Sequence, residues 1–312
     1  MELTMHKNAL FAALITLSAA SNAAAVQVYG KANISLNNID INNSDSIDLN
    51  SNASRFGVKG SYQINDNLKA IYKFEYETFV DDGEDGNTDD ELKQRNIYAG
   101  FQGSFGTILA GKHDTPTKLA QGKVDLFSDQ KWGDIKNIIE GENRVSNIIM
   151  YSTPKSNGLK ATIAYVPDET AGSNTDGKSI AISYELDNLT MTLAHDKGEA
   201  IDSSVESLTR FVAEYKLGDI KLGAIAQNAD KGSNEEDGYI VSASIKLDNG
   251  ILLKGQYGES DDDVNDKTLS IIGADYKLNK KSKLFAYFSD YDQKGETLKE
   301  VETFAIGYEI KF

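Results

Sequence analysis

Apolar and polar residues alternate one by one along most of the chain from residue 28 to the C-terminus. The first such segment places one set of residues on a single face: Val28, Gly30, Ala32, Ile34 and Leu36. A repeat of two puts successive side chains on opposite faces of a β-strand. The sequence therefore predicts an all-β protein whose sheet has one apolar and one polar face.

The apolar face of the sheet must be covered either by membrane lipid or by other parts of the protein. Mean hydropathy is −0.42, and no run of about 18 apolar residues exists, so transmembrane helices are excluded. A membrane protein built from strands passes the same test, because only alternate residues of each strand face lipid. A soluble β-sandwich is the alternative, but its connections need not differ in length.

The connections between the strand segments alternate between short and long. Short ones carry turn residues that tolerate positive φ, at 65–67, 103–104, 154–157, 187–188, 218–219, 248–250 and 279–282. Longer polar ones lie at 37–52, 80–92, 113–143, 167–178, 198–206, 229–238, 259–267 and 292–298. These connections predict a transmembrane antiparallel β-barrel of about sixteen strands with both termini at the short-turn end.

Both ends of the chain support this interpretation. Residues 1–25 have the layout of a signal peptide, with cleavage after Ala23 or Ala25, and 26–312 form the barrel. A single anchoring helix is the alternative, but the apolar run is too short to span a membrane. The last strand carries Tyr308, Ile310 and the terminal Phe312 on one face. It resembles the aromatic C-terminal strand that the barrel insertion machinery reads in outer-membrane barrels, so these residues are the predicted insertion signal.

Charge and composition exclude several classes. The net charge of −16 argues against nucleic-acid binding, which requires a basic face. The chain has no cysteine, so disulfides and thiolate metal sites are excluded. The acidic run at 81–91 lacks the closing glutamate of a calcium loop, since Leu92 stands there. We expect no metal site and no cofactor. Acidic loops would attract cations, and divalent ions bridging them to lipopolysaccharide phosphates are an alternative role.

Several short motifs carry a family resemblance: Tyr29-Gly30-Lys31, residues 54–60 (SRFGVKG), residues 94–100 (QRNIYAG), Gly111-Lys112 and Asn143-Arg144-Val145. With them the chain resembles the trimeric general diffusion porins of Gram-negative outer membranes. The resemblance implies a homotrimer in the outer membrane whose third long loop folds into the lumen and narrows it. Lys112 to Arg144 matches that loop in position and length.

The resemblance also implies a basic cluster at the constriction, which is expected to contain Lys31, Arg55, Arg95 and Arg144, with Lys112 nearby. Independently, each of the four arginines in the chain begins a strand that follows a long loop, so all four are expected at similar depth. Arginine suits such a site because its guanidinium is planar and always charged. The alternative is that these arginines pair with loop carboxylates for stability alone, and for Arg210 this alternative is favoured.

The opposing acids are expected on the loop. Asp125 and Asp129 are the first candidates, followed by Asp134. The Pro-Glu-Phe-Gly-Gly tip of well-known family members is missing here, so the acidic side is assigned less directly than the basic side.

The expected function is a passive, water-filled, weakly cation-selective channel for small hydrophilic solutes and ions. A sugar-selective porin is the first alternative, although inward positions are mostly charged or small rather than aromatic. A barrel enzyme is the second. Only His113 and His195 remain after signal cleavage, and no serine is placed to complete a triad with His195 and Asp196, so we expect no catalysis. A purely structural barrel or adhesin would not need the inward loop.

Overall fold

The computed structural model describes residues 26–83, 91–169, 175–262, 264–295 and 298–312. The predicted signal peptide and the tip of the acidic loop at 84–90 lie outside these ranges. Within them no helix is both long enough and apolar enough to span a membrane.

Seventeen strand segments form one antiparallel sheet. Their bounds are β1 Gln27–Ile41, β2 Ser44–Ser51, β3 Arg55–Asn65, β4 Leu68–Thr78, β5 Leu92–Gly103, β6 Gly106–Asp114, β7 Arg144–Ser152, β8 Leu159–Val166, β9 Gly177–Leu186, β10 Leu189–Lys197, β11 Ser207–Leu217, β12 Ile220–Asp230, β13 Glu235–Lys246, β14 Ile251–Asp262, β15 Asn265–Lys277, β16 Ser282–Gly295 and β17 Lys299–Lys311.

The sheet closes on itself. β1 pairs with β17 from Lys31 opposite Lys311 to Ile41 opposite Val301. Beyond that ladder, the Gly30 N–H donates to the Phe312 carbonyl at 3.2 Å and the Phe312 N–H donates to the Gly30 carbonyl at 3.1 Å. The barrel is therefore continuous, and both ends of the barrel segment lie at the short-turn end, as the connection lengths predict.

β2 and β3 are two parts of one barrel strand, because both pair with β1. The break falls at Asn52, Ala53 and Ser54, where Ala53 has φ of 49°. Ser54 Oγ accepts from the Asn33 N–H at 2.9 Å, and the Asn52 N–H donates to the Asn33 carbonyl at 2.8 Å. Backbone groups that the ladder leaves free are thus satisfied. Counted this way the barrel has sixteen strands, which confirms the expected number.

The first outer connection differs from the prediction of a long loop at 37–52. β1 continues to Ile41 and β2 begins at Ser44, so the turn consists only of Asn42 and Asn43. Their φ values of 52° and 66° are those of a two-residue hairpin turn, which asparagine tolerates. The polar residues of this segment therefore belong to a β-hairpin formed by β1 and β2. Its first strand, β1, also pairs with β17.

The outer face of the barrel is apolar. Exposed large side chains recur on nearly every strand, among them Leu36, Tyr62, Phe101, Ile149, Ile180, Leu193, Phe211, Val241, Ile272, Leu284 and Ile306. β17 contributes Phe304, Tyr308 and Ile310 to this face, and Phe312 follows directly after it. Such a surface is stable against lipid chains but not against water.

Two matched substitutions test the insertion signal. Phe304→Ser and Phe312→Ser each remove one exposed ring, 54% and 61% exposed, from the outer face at the C-terminal end of the chain. If the terminal residue is read during insertion, Phe312→Ser lowers the amount of assembled barrel in cells several-fold, and Phe304→Ser lowers it much less. Heat-modifiable gel mobility of outer-membrane fractions measures this amount. Refolding in detergent is the control, where both variants should behave alike; equal losses in cells would contradict the prediction.

Candidate functional site

The segment between β6 and β7, residues 115–143 and here called L3, contains two short helical turns. Thr115 caps α1 (Pro116–Ala120) by accepting from the Lys118 N–H at 3.1 Å, and Pro116 occupies the first helical position. Asp134 caps a 3-10 turn (Ile135–Asn137) by accepting from the Lys136 N–H at 2.9 Å. Local sequence thus gives L3 its own structure.

L3 packs its apolar side chains against the inner face of the barrel. Five of them are at most 2% exposed: Val124, Phe127, Ile135, Ile138 and Ile139. They belong to one cluster with inward-facing residues of β12–β15, namely Ile225, Ile240, Leu269 and Ile271. The Phe127 and Tyr287 rings meet edge to face at 6.0 Å. L3 therefore lies inside the barrel, on the side formed by the C-terminal strands.

Glycines on four consecutive strands make room for L3. A Cβ added at Gly238 would lie 2.5 Å from Ile139 Cγ2, and one at Gly273 would lie 2.9 Å from Phe127 Cε1. Gly223 receives Val124 and Gly258 receives Ile138 in the same way. Glycine inside a strand costs stability and often marks a close approach of another chain segment. These inward glycines are the sequence signal for the docking surface.

Polar contacts hold both ends of L3. Asp196 on β10 accepts from the hydroxyls of Thr115 at 3.3 Å and Thr117 at 2.5 Å. Arg210 on β11, with a fully buried side chain, donates to the Glu142 carboxylate at 2.9 Å and to the Glu140 carbonyl at 2.6 Å. Arg210 thus pairs with a loop carboxylate, as the alternative from its sequence position predicts.

Asp129 reaches from L3 to the opposite side of the lumen. Its Oδ2 atom lies 2.9 Å from Lys31 Nζ on β1 and 2.5 Å from Arg55 Nη2 on β3. Lys31 and Arg55 are directly opposite each other in the ladder between β1 and β3. One loop carboxylate therefore bridges two strand cations that would otherwise repel.

These cations dominate the titration of Asp129. Burial by itself would raise the pKa of the carboxyl, but the charges of Arg55, Lys31 and Arg95 outweigh burial and lower the pKa to about 2. Asp129 is ionised throughout the physiological range.

Arg95 meets acids of the barrel wall rather than of L3. Its Nη1 lies 2.5 Å from Glu77 Oε2, and its Nε lies 3.4 Å from Glu75 Oε1. Between β4 and β5 the register shifts, so that Arg95 and Asn96 together face Glu75. A β-bulge of this kind turns two consecutive residues to the same side. Both Arg95 and Asn96 are buried as a result.

Arg144 continues this network. Its Nη2 lies 2.9 Å from Asp114 Oδ1, and its Nε donates to Asn96 Oδ1 at 3.1 Å. Asn96 also donates to Asp114 Oδ2 at 2.9 Å. Glu75, Glu77 and Asp114 were not proposed from sequence. The acidic partners of two of the three arginines therefore come from the strands.

The structure differs from the sequence predictions at three residues. Lys112 pairs with Ile97, and side-chain alternation puts both on the outward face with Phe101, so Lys112 points away from the lumen. Asp134 is turned into L3, where its two oxygens accept from the N–H groups of Asp129 and Lys136, both at 2.9 Å.

Asp125 is the third residue that differs. Its carboxylate accepts from the Phe127 N–H at 3.1 Å within L3. Burial, followed by the neighbouring charges of Asp134 and Glu142, raises its pKa well above the ordinary value. Of the three predicted acids, only Asp129 contacts the basic residues.

His195 and Asp196 do not form a catalytic pair. Asp196 faces inward, where it holds L3, whereas alternation places His195 on the other face, with its Nδ1 2.9 Å from Thr209 Oγ1.

A closed sheet with an apolar outer face, a loop packed inside and charged residues across the remaining space is the architecture of a transmembrane pore. The family model described as Gram-negative porin matches residues 9–296. The chain therefore belongs to the Gram-negative porin family and is an outer-membrane protein that crosses the membrane many times.

The relatives are porins and major outer-membrane proteins. The chain is 27% identical over 259 residues to outer membrane porin protein 32 of Delftia acidovorans. The aligned region covers 74% of this chain and 72% of that protein. It is 26% identical to outer membrane protein U of Vibrio cholerae, over 80% of this chain and 57% of that protein. The match to major outer membrane protein P.IB of Neisseria gonorrhoeae, at 25% identity, covers only 42% of this chain and 37% of the relative.

Solved structures show the same fold. The anion-selective porin from Comamonas acidovorans superposes with a TM-score of 0.78 at 21% identity, covering 93% of this chain and all of that one. The trimer form of OmpT from Vibrio cholerae gives a TM-score of 0.70 at 18% identity, again covering 93% of this chain and all of that one.

The lowered pKa of Asp129 predicts that its contribution to stability depends on pH. The difference in unfolding temperature between wild type and Asp129→Asn measures this contribution. Because its folded-state pKa is about 2, its ion pairs stabilise the protein above the ordinary aspartate pKa near 4 and lose that effect as pH falls toward 2. We expect Asp129→Asn to lower the unfolding temperature in detergent at pH 7, and the gap to wild type to shrink below pH 4.

Asp125→Asn is the matched control for that measurement. Because the folded-state pKa of Asp125 is raised, ionisation of this residue opposes folding at neutral pH. Its replacement should be neutral or stabilising at pH 7. A gap between wild type and Asp129→Asn that does not change between pH 5 and pH 2 would contradict the assignment.

Proposed function

We propose that the protein forms a passive, water-filled and weakly cation-selective channel for small hydrophilic solutes and ions. The observation that carries the proposal is the contact of Asp129, on a loop docked against β12–β15, with Lys31 and Arg55 on the opposite strands. L3 thereby fills one side of the lumen and leaves charged groups along the other. A barrel with no transport role has no need for this arrangement.

The proposed constriction is formed by Lys31, Arg55, Arg95 and Arg144 on the strands and Asp129 on L3. Asp129 lies 2.9 Å from Lys31 and 2.5 Å from Arg55, and the field of these charges extends over a Debye length of about 8 Å in physiological salt. A field across a narrow lumen therefore persists in salt. It would orient dipolar solutes and disfavour apolar ones, which must lose hydration there.

The proposed sign of the selectivity follows from charge distribution. At the constriction each arginine has a carboxylate partner, so the site is close to balanced. The net charge of the chain is −16, and the long-loop end of the barrel carries exposed acids such as Asp82 after β4 and Glu235 and Asp237 on β13. An acidic outer mouth concentrates cations. The Comamonas porin of the same fold is anion-selective. The fold therefore does not determine whether a channel prefers anions or cations, and we propose that charges such as these do.

A sugar-selective porin remains the alternative. Aromatic residues lining an open path would favour it. The inward rings of Phe127, Tyr287 and Tyr291 instead pack in the core between L3 and the barrel wall, where Trp132 lies 5.5 Å from Tyr291. The described lumen thus supports general diffusion better.

We further propose a homotrimer in contact with outer-membrane lipid and lipopolysaccharide. The OmpT structure of the same fold is described as a trimer. Divalent cations between the acidic loops and lipopolysaccharide phosphates would strengthen the lipid contact.

Planar-bilayer recording of the purified protein tests the function. We expect stepwise, ohmic conductance increments in KCl, grouped in threes if trimers insert, and a reversal potential in a KCl gradient that corresponds to weak cation preference. Absence of channels would overturn the proposed function. Channels with anion preference would overturn only the proposed selectivity.

A double substitution tests the constriction. Arg55→Ala with Arg95→Ala leaves Asp129, Glu75 and Glu77 with fewer cationic partners, so we expect cation preference to increase several-fold in reversal-potential measurements. The control is Arg55→Lys with Arg95→Lys, which keeps both charges and should leave selectivity near wild type. Unchanged selectivity in the alanine variant would place these arginines outside the conducting path.

A further inference from the structure

Besides Lys31 opposite Lys311, which pair with Asp129 and Glu309, lysines stand directly opposite each other at three further places near the short-turn end of the barrel. The register pairs Lys59 with Lys73, Lys216 with Lys221, and Lys277 with Lys283. All three pairs lie on the inward face. Lys59 lies over the Tyr29 ring, whose hydroxyl donates to Glu75, and Lys283 contacts the inward Asp275 at 2.8 Å. Lys216 and Lys221 share the face of Glu214 and Gly223, which contact L3.

Like charges directly opposite on neighbouring strands destabilise a sheet. Two of the six lysines are compensated, since Lys73 pairs with Glu75 at 3.0 Å and Lys283 with Asp275. Among the described residues, no carboxylate lies within ion-pair distance of Lys59, Lys216, Lys221 or Lys277. The lumen at this end therefore holds cationic groups that have no carboxylate partner in the part of the chain that the structure describes.

A cavity of about 150 Å³ lies between L3 and the short-turn ends of β10–β13. Its lining includes Lys123 of L3 together with Lys216 and Lys221, and the hydroxyl-bearing Thr190 and Ser242. Glu214 is the one carboxylate of this lining, and it accepts from the Lys123 N–H at 3.1 Å. Three ammonium groups against one carboxylate, with hydroxyl donors beside them, fit an oxyanion.

We propose that the periplasmic half of the lumen binds small multivalent oxyanions of the phosphate type, with the cavity at Lys123, Lys216 and Lys221 as the main subsite. In barrels of this class the short turns face the periplasm, so such anions enter from that side. At the other mouth the acidic loops repel them. The proposal rests on the proposed channel function and adds a sidedness to it.

Inorganic tripolyphosphate is the probe, added to one side of a planar bilayer containing single channels. The chain has no cysteine, so Asp248→Cys in an exposed short turn lets an impermeant maleimide polymer report which side that turn faces. We expect reversible block from the short-turn side, little block from the other side, and weaker block as KCl rises, because salt screens the lysines.

Lys216→Gln with Lys221→Gln should raise the tripolyphosphate concentration needed for half block by about tenfold. Lys280→Gln with Lys281→Gln is the matched control. It removes the same charge from the exposed turn between β15 and β16 at the same end of the barrel, and should leave the block unchanged. Heat-modifiable gel mobility checks that both variants form barrels.

Equal block from both sides, absence of block, or equal effects of the two double variants would overturn the anion site. If Lys216→Gln with Lys221→Gln fails to form barrels, the sidedness of block in wild type still decides. Absence of any channel would overturn the proposed function and this proposal together, whereas normal channels without one-sided block would overturn this proposal alone.

Discussion

The structure depends on closure of the sheet. Inside a bilayer no water is present to bond free N–H and C=O groups, so a strand protein can span it only if every strand has two partners. Pairing of β1 with β17 provides the last partner, and the bonds between Gly30 and Phe312 extend it to the end of the chain. At the break between β2 and β3, the Ser54 hydroxyl accepts from the Asn33 N–H, and the Asn52 N–H donates to the Asn33 carbonyl, so the backbone groups of Asn33 keep their partners. Once the sheet is closed, alternation directs one set of side chains into the lumen and the other set toward lipid.

Closure also creates an interior that must be filled or hydrated, and the two halves of the barrel solve this differently. β12–β15 present apolar residues and glycines that receive L3. β1 and β3–β7 present charged side chains, which compensate one another in pairs or through Asp129. Burying one half under L3 leaves the charged half as the surface that solutes meet. The packing core and the proposed selectivity site therefore lie on opposite sides of L3.

The sequence predicted the barrel well because side-chain alternation and turn residues are local signals. It also identified Lys31, Arg55 and Asp129, which the structure brings into contact. Lys112 was expected near the constriction, whereas its pairing with Ile97 directs it to the outward face, and that register is not visible in the local sequence. Glu75 and Glu77 lie on the polar face of their strand. Their pairing with Arg95 requires a β-bulge, which the local sequence pattern does not predict. Asp134 was expected at the constriction, and here its side chain caps a 3-10 turn; a capping aspartate and a lumen aspartate have the same sequence signal until the backbone conformation is known.

The placement of L3 has a consequence for the order of assembly. L3 follows β6 in the chain, yet the surface that receives it consists of strands near the C-terminus. Its apolar residues remain without partners until those strands are in place, and the strand that closes the barrel is the last of all. Contacts so distant along the chain form slowly, because a long loop must be ordered before any contact compensates that entropy. Truncation anywhere after L3 should therefore yield an open sheet with an exposed apolar loop, a substrate for periplasmic chaperones and proteases rather than a smaller pore.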